Sequence, residues 1–239
     1  SENIPLNLSN QQEVVRVVQE KDIDLTVVGP ENPLAEGIVD TFQAEGLRIF
    51  GPDAYCAQLE SSKLFARDFM AENNIPHPDY YSCSTSDEAE AIKAIIELPL
   101  VLKADGLAAG KGVIVCKDNK EFKKGLEIMF DAHRFGDAAS RISLERCLVG
   151  EELSIFAICD GKDFKILSSA QDYKRVYDKD KGPNTGGMGA YSPTPLATTD
   201  LMDRVGSKII QPTLRAMAER GYPYTGFLYV GLMIVGGKP

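Results

Sequence analysis

With 239 residues, 44 % of them hydrophobic, the chain is long enough to bury one large core or two to three smaller ones. A formal net charge of −9 argues against general nucleic-acid binding, and no apolar run is long enough to span a bilayer. The five cysteines are odd in number and include no Cys-x-x-Cys pair, so buried free thiols in a soluble cytoplasmic protein are expected, rather than disulfides or a zinc site.

In chain order, residues 11–20 carry valines at helical spacing and 25–28 form a short apolar strand that ends in Gly29-Pro30-Glu31. Residues 34–45 read as a second helix closed by Gly46, and 48–50 as a second strand closed by Gly51-Pro52. This alternation predicts a parallel α/β sheet, whose ligands sit at the carboxyl ends of strands, where Glu31 stands. Read alone, Glu31 is a solvated turn residue. A helix over 61–73 leads into Ile75-Pro76-His77-Pro78, which reads as a linker. A smaller α/β unit follows, with a capping-box signal at Thr85 and Glu88, strands at 100–103, 113–116 and 142–148, and a helix opened by Asp118 and Glu121. From Glu151 the pattern turns antiparallel, with a hairpin of 153–159 and 164–170 about Asp160-Gly161. A long polar, glycine-rich segment over 171–195, a helix over 199–220 and a strand over 227–235 complete the chain.

Three stretches carry chemistry. Residues 105–112, Asp-Gly-Leu-Ala-Ala-Gly-Lys-Gly, lie between two apolar runs and read as strand, glycine turn, strand. Gly106, Gly110 and Gly112 let the backbone approach a ligand closely, its N–H groups converging on phosphate oxygens. Lys103 at the root and Lys111 at the tip add positive charge. The loop is not a Walker A sequence, because no Ser or Thr follows the lysine and no helix signal follows the loop. A glycine-rich loop between two strands is instead how a nucleotide lid is usually built. The second stretch joins Gln171-Asp172-Tyr173-Lys174-Arg175 to Gly182-Pro183-Asn184-Thr185-Gly186-Gly187-Met188-Gly189. Its bland reading is a flexible surface loop, weighed lower because apolar Met188 and Tyr191 sit among the glycines. The third is Glu145-Arg146-Cys147-Leu148 with Glu151-Glu152. There, a strand leaving one unit offers backbone groups to an adenine edge, and a carboxylate offers to accept from ribose hydroxyls.

The chain resembles the glycinamide ribonucleotide synthetases (phosphoribosylamine–glycine ligases), an ATP-grasp family. The resemblance is carried by Leu-Thr-Val-Val-Gly-Pro-Glu at 25–31, Phe50-Gly51-Pro52, Ser62-Lys63, the glycine loop, 171–175, Gly-Pro-Asn-Thr-Gly-Gly-Met-Gly-Ala-Tyr at 182–191, and 224–233. It implies an α/β and α+β protein, in which an ATP-grasp fold follows the remainder of a parallel α/β domain. The expected divisions are a partial N-terminal substrate domain over 1–57, the start of the ATP-grasp core over 58–79, a lid subdomain over 80–150 and an antiparallel core over 151–239.

The resemblance also implies roles. Lys63 and Lys103 would contact ATP phosphates under a mobile lid from Gly106 through Gly110 and Lys111 to Gly112. Glu145, Arg146, Cys147 and Leu148 would line the adenine and Glu152 the ribose, with Arg175 and Asn184 completing the nucleotide site. Lys174, Arg175 and Asp172 would carry the catalytic roles. Asp172 and Lys174, with Thr185, Gly186, Gly187, Met188 and Gly189, would face the acyl phosphate and amine, and Glu31 the phosphoribosylamine pocket. One departure is Tyr173, where the family usually has His.

The implied reaction joins glycine to 5-phosphoribosylamine through glycyl phosphate, a chemistry of positioning and charge neutralisation that suits lysines and backbone N–H groups. The implied cofactor is ATP with Mg²⁺ or Mn²⁺. The family's metal ligands lie in a Glu-Phe-Asn-x-Arg-Phe-Gly-Asp-Pro-Glu strand expected beyond Pro239, and its first glycine-rich turn before Ser1. The chain therefore reads as an internal fragment, inactive by itself. Expected partners are the small-molecule substrates, with no nucleic acid or membrane, and no protein partner is indicated. The alternatives are another ATP-grasp carboxylate–amine ligase, which would lack the 182–191 run as written, and a fragment that binds nucleotide without catalysis.

Overall fold

The computed structural model describes residues 2–107, 112–130, 140–178 and 181–238. Three hydrophobic clusters organise them. In the first, helix α1 (Gln11–Glu20) is capped by the Asn10 side chain and buries Val14, Val15 and Val18. Strands β1 (Thr26–Val27) and β2 (Ile49–Phe50) pair in parallel, as the alternation predicts. The single helix expected over 34–45 is instead two, α2 (Glu31–Ala35) and α3 (Ile38–Ala44). Gly37 stands between them at φ +83°, a left-handed conformation that no helix continues through.

Helix α4 (Ala54–Ser61) was not anticipated from the sequence. The helix expected over 61–73 is α5 (Lys63–Glu72), and the extended backbone of Ser62 divides the two. The Ser62 hydroxyl caps α5 by accepting from the Phe65 N–H at 3.0 Å.

The small unit has one sheet in the order β3-β6-β4-β5, made of β3 (Tyr80–Cys83), β4 (Leu100–Ala104), β5 (Val113–Cys116) and β6 (Ile142–Arg146). β3 is a further strand that the sequence reading missed. Helices α6 (Ser86–Lys93) and α7 (Asn119–Met129) carry the expected caps, with Glu88 donating its N–H to Thr85 and Glu121 to Asp118. Leu100, Leu102, Ile142 and Leu144 are fully buried in one cluster with Phe122 and Met129 of α7. α7 packs so closely that a Cβ at Gly125 would lie 2.8 Å from Leu102 Cδ1. The opposite face of β4 and β6, which carries Lys103, Ser143 and Glu145, is left for polar chemistry.

The third cluster lies under an antiparallel sheet ordered β11-β7-β8, from β7 (Glu151–Asp160), β8 (Phe164–Ile166) and β11 (Thr225–Ile234). The helix expected over 199–220 is α8 (Thr199–Val205) and α9 (Gln211–Glu219), joined through a π-helical turn over Gly206–Ile210. Pro212 cannot donate an i→i−4 hydrogen bond, which explains the wider turn just before it. The largest addition concerns 171–195, read above as a long polar, glycine-rich segment with no strand assigned. It forms an antiparallel ribbon of β9 (Gln171–Tyr177) and β10 (Lys181–Tyr191). The positive φ of Gly182, Gly187 and Gly189 accompanies the two register shifts that hid the strand pattern. Finally, Gly226 at φ +143° lets β11 start against Pro52, which a Cβ there would meet at 2.6 Å. This seats the N-terminal cluster on the sheet.

Candidate functional site

Two lysine-centred clusters stand out, and their charge balance is opposite. In the small unit, the β4–β6 register sets Lys103 beside Ser143 and Val101 beside Glu145, so Lys103 and Glu145 are diagonal neighbours on one face. Glu145 is 2 % exposed and accepts from Arg67 Nε at 3.0 Å and Nη2 at 2.9 Å, while Lys103 Nζ lies 2.7 Å away. Ser143 Oγ adds a fourth donor at 3.3 Å. One carboxylate thus faces two cations. Burial works to raise the Glu145 pKa, but the Arg67 hydrogen bonds and the Lys103 charge outweigh it and hold the carboxyl below its usual range. The Lys103 pKa is lowered as well, but here at the expense of the charged form: burial depresses it, and Arg67 and Lys63 add to this against the pull of Glu145. The net positive charge left over is what an anionic ligand would neutralise.

Lys63 opens α5 at the edge of this cluster, its Nζ donating to the Glu60 carbonyl at 3.2 Å. The Glu60 carboxyl is raised by burial and by Glu31, with Lys63 opposing. Glu31, exposed at the start of α2, therefore acts electrostatically on the same corner of the molecule.

Asp105 went unremarked in the sequence as a connector. Its Oδ1 accepts from the Ser62 hydroxyl at 2.8 Å and the Leu64 N–H at 2.9 Å, and its Oδ2 from Arg141 at 2.9 Å. Its carbonyl accepts from the Lys63 N–H at 3.1 Å. The root of the glycine loop is thus bolted to the N-terminus of the helix that carries Lys63. The described residues run on from Asp105 as far as Leu107 and resume at Gly112. Gly106 and Gly112 lie within them, whereas Gly110 and Lys111 lie outside the described residues.

Beyond β6 the chain crosses to β7 as a strap. Arg146 donates its N–H to Asp79 and Cys147 to Pro99, Cys147 is half-buried, and Leu148 is 37 % exposed.

The second cluster lies on the open face of β7 and β9. Lys174 Nζ meets Glu152 at 3.3 Å and Asp172 at 3.2 Å, so here one cation faces two carboxylates. Burial pulls the Lys174 pKa down, but Glu152, Tyr229 and Asp172 outweigh it and the ammonium is favoured. Glu152 is thereby joined to Lys174 rather than standing alone. Thr185 donates to the Lys174 carbonyl at 2.8 Å and accepts from the Gly187 N–H at 3.1 Å, which orders the turn that continues through Gly186 and Met188. Asn184 pairs with Arg175 across the ribbon, although the side chains of both lie outside the described residues. Tyr173 stacks near Tyr191, with ring centroids 6.3 Å apart. Ser154 and Tyr229, which the sequence reading did not single out, also join this cluster. Among the described residues, no group of three or more His, Cys, Asp or Glu side chains is arranged to hold a metal ion, and no step below is routed through one.

This architecture is that of the ATP-grasp ligases. The crystal structure of D-alanine–D-alanine ligase from Bacillus anthracis complexed with ATP shares the fold over all of this chain at a TM-score of 0.68 and 19 % identity, covering 72 % of that protein. Within that class the particular lineage is defined by two family models. "Phosphoribosylglycinamide synthetase, N domain" matches residues 1–60, and "Phosphoribosylglycinamide synthetase, ATP-grasp (A) domain" matches residues 61–239. The chain belongs to the phosphoribosylglycinamide synthetase family. It is 50 % identical over 98 % of its length to a phosphoribosylamine–glycine ligase of Ralstonia nicotianae, of which it covers 55 %. The crystal structure of the Thermotoga maritima phosphoribosylamine–glycine ligase matches all of it at a TM-score of 0.84 and 31 % identity, with 57 % of that protein covered. The chain spans about half the length of the curated relatives it matches.

Proposed function

We propose that these residues form the nucleotide-binding and acyl-transfer part of a ligase that joins glycine to 5-phosphoribosylamine at the expense of ATP, giving glycinamide ribonucleotide, ADP and phosphate. The observation that carries the reading is the opposite charge balance of the two lysine clusters. Two half-buried cations share one buried carboxylate at the root of the glycine loop, so Lys103, with Lys63 beside it, is left to meet the ATP phosphates. At the other cluster Lys174 is already neutralised by two carboxylates, which suits a site that must hold both a carboxylate substrate and an amine.

In this reading a glycine carboxylate oxygen attacks the γ-phosphorus and the bond to the departing ADP oxygen breaks. The amine of phosphoribosylamine then attacks the acyl carbon, the C–O bond to phosphate breaks, and the amine proton is lost. Lys63, Lys103 and Arg175 neutralise the phosphoryl oxygens, Lys174 faces the acyl phosphate and the amine, and Asp172 receives the amine proton. Glu145 to Leu148, with Glu152, border the adenosine, Asn184 completes the nucleotide site, Thr185–Gly189 frame the acyl phosphate, and Glu31 borders the amine substrate. The glycine loop excludes water from an acyl phosphate that hydrolyses readily. Mg²⁺ or Mn²⁺, when bound, supplies neutralisation of the β- and γ-oxygens.

The test is ADP release measured with glycine and phosphoribosylamine together and with each alone. The assay uses this chain and a ligase of full family length containing it. ADP formation by the full-length protein that requires both substrates is expected. Equal ADP release without glycine would sink the assignment.

A further inference from the structure

The Lys174 cluster contains two hydroxyls that the chemistry above leaves without a task. β7 and β11 run antiparallel with Phe156 opposite Tyr229 and Ser154 opposite Gly231, so Ser154 and Tyr229 are diagonal neighbours on the open face of the sheet. Gly231 creates the room between them. A Cβ there would lie 2.8 Å from Tyr229 Oη and 3.1 Å from Cε1, so the phenol leans across the position that a side chain would occupy. Its Oη reaches 3.3 Å from Ser154 Oγ, and Ser154 Oγ lies 3.2 Å from Asp172 Oδ1.

The direction of this chain follows from counting protons. A carboxylate only accepts, so Ser154 gives its single hydroxyl proton to Asp172. Its oxygen is then free to accept, and Tyr229 is the donor. The Ser154 backbone is itself fixed, exchanging two 2.8 Å hydrogen bonds with Ala170 where the chain enters β9. Asp172 is thereby gripped at both oxygens, Oδ1 by Ser154 and Oδ2 by Lys174 at 3.2 Å. Without the first grip, a partly exposed carboxylate on a strand is free to turn about both its side-chain torsions.

We propose that Tyr229 and Ser154 are positioning residues, a two-hydroxyl relay that aims the Asp172 carboxylate and, through it, Lys174 at the reacting groups, with Gly231 kept bare so that the phenol can reach. The inference rests on the reading of Asp172 and Lys174 given above. As positioning residues the two hydroxyls act without meeting substrate themselves. Their effect is on the orientation of a group that does, so it falls on turnover rather than on nucleotide binding.

The experiment compares Asp172→Asn, Ser154→Ala, Ser154→Thr, Tyr229→Phe, Gly231→Ala and the Ser154→Ala/Tyr229→Phe double variant in the full-length ligase. It measures kcat, KM for ATP and the thermal midpoint. Asp172→Asn is expected to lower kcat by roughly 100-fold or more. Ser154→Ala is expected to lower it by about 10-fold with KM for ATP and the midpoint unchanged, and Ser154→Thr to restore most of it. Tyr229→Phe and Gly231→Ala, which remove or displace the same donor, should each cost about 3-fold. The double variant should be no worse than Ser154→Ala alone, because Tyr229 acts only through Ser154. Full turnover in Ser154→Ala while Asp172→Asn is crippled would overturn the relay and leave the wider reading standing. A multiplicative double variant would overturn it equally. Full turnover in Asp172→Asn would remove both the relay and the assigned role of Asp172.

Discussion

Replacing Glu145 with Gln keeps the shape of the side chain and removes one charge from the least exposed ion cluster among the described residues. The carboxylate is 2 % exposed and takes Arg67 at 2.9 and 3.0 Å and Lys103 at 2.7 Å. In the variant the amide accepts at one atom and donates at the other, so at least one cation loses its acceptor and the two cations are left facing each other. A single pair at such distances is worth about 6 kcal/mol at an effective dielectric constant near 20. Some of this is returned because the carboxylate no longer has to be desolvated. The net cost, set by the uncompensated buried charge, is about 3–5 kcal/mol. The assay is urea unfolding followed by circular dichroism at several pH values.

The pH dependence fixes the cause. Glu145 has its pKa held below the ordinary carboxylate value, so its contribution is fully present above about pH 4.3, the unfolded value, and is lost as pH falls through the folded one. Wild type and variant should therefore converge in acid. The gap should also narrow in alkali, where Lys103 sheds its proton. A loss below about 1 kcal/mol at pH 7, or a gap that does not shrink as pH falls below about 4.3, would refute the argument that charge rather than packing holds the cluster.

Three further outcomes are expected. Asp105→Ala deletes a cap on α5 together with the contacts to Ser62 and Arg141, and should lower stability by about 1–2 kcal/mol, read in the same urea titration. Lys103→Ala should weaken binding of a non-hydrolysable ATP analogue at least about 10-fold in calorimetry. In the unmutated protein that affinity should fall as pH rises through the depressed Lys103 value, at lower pH than the roughly 10.4 of an ordinary lysine. Burial raises the thiol pKa of Cys83 to about 12 and of Cys116 and Cys159 to about 11, and raises that of Cys56 further still. In the native protein at pH 8, a disulfide reagent should therefore modify Cys147 first, and fast modification of a second thiol would contradict the assigned burial.

The fold was legible wherever side-chain period and end signals agreed. Gln11–Glu20 could be read because its valines repeat at helical spacing, and the caps at Thr85 and Asp118 announced their helices. Reading failed where a rule was broken for a local reason. Helix α4 was missed because its apolar stripe is weak and Asp53 follows a proline that reads as a loop. The β9–β10 ribbon was hidden because glycines replace the alternating side chains by which a strand is recognised, and its register shifts twice.

The candidate site was legible in its charged residues and illegible in what holds them. Lys103, Lys174, Asp172 and Glu152 stand in unusual stretches, and their types alone point to phosphate and carboxylate chemistry. Arg67 lies in the middle of an ordinary amphipathic helix, 78 residues from the Glu145 it grips, and nothing local marks it. Asp105 was visible inside the glycine loop, yet its work is done 43 residues away, at the Ser62 cap. Ser154 and Tyr229 each read as one more strand residue until the antiparallel register brings them together over the gap at Gly231. These residues share one property: their partners are set by sheet register and unit docking, which a linear pattern does not encode. The residues that define this chemistry are local, and those that orient it are not. A substitution at Arg67, Asp105 or Ser154 should therefore disturb the site as surely as one in the glycine loop, though nothing in its neighbourhood of sequence gives warning.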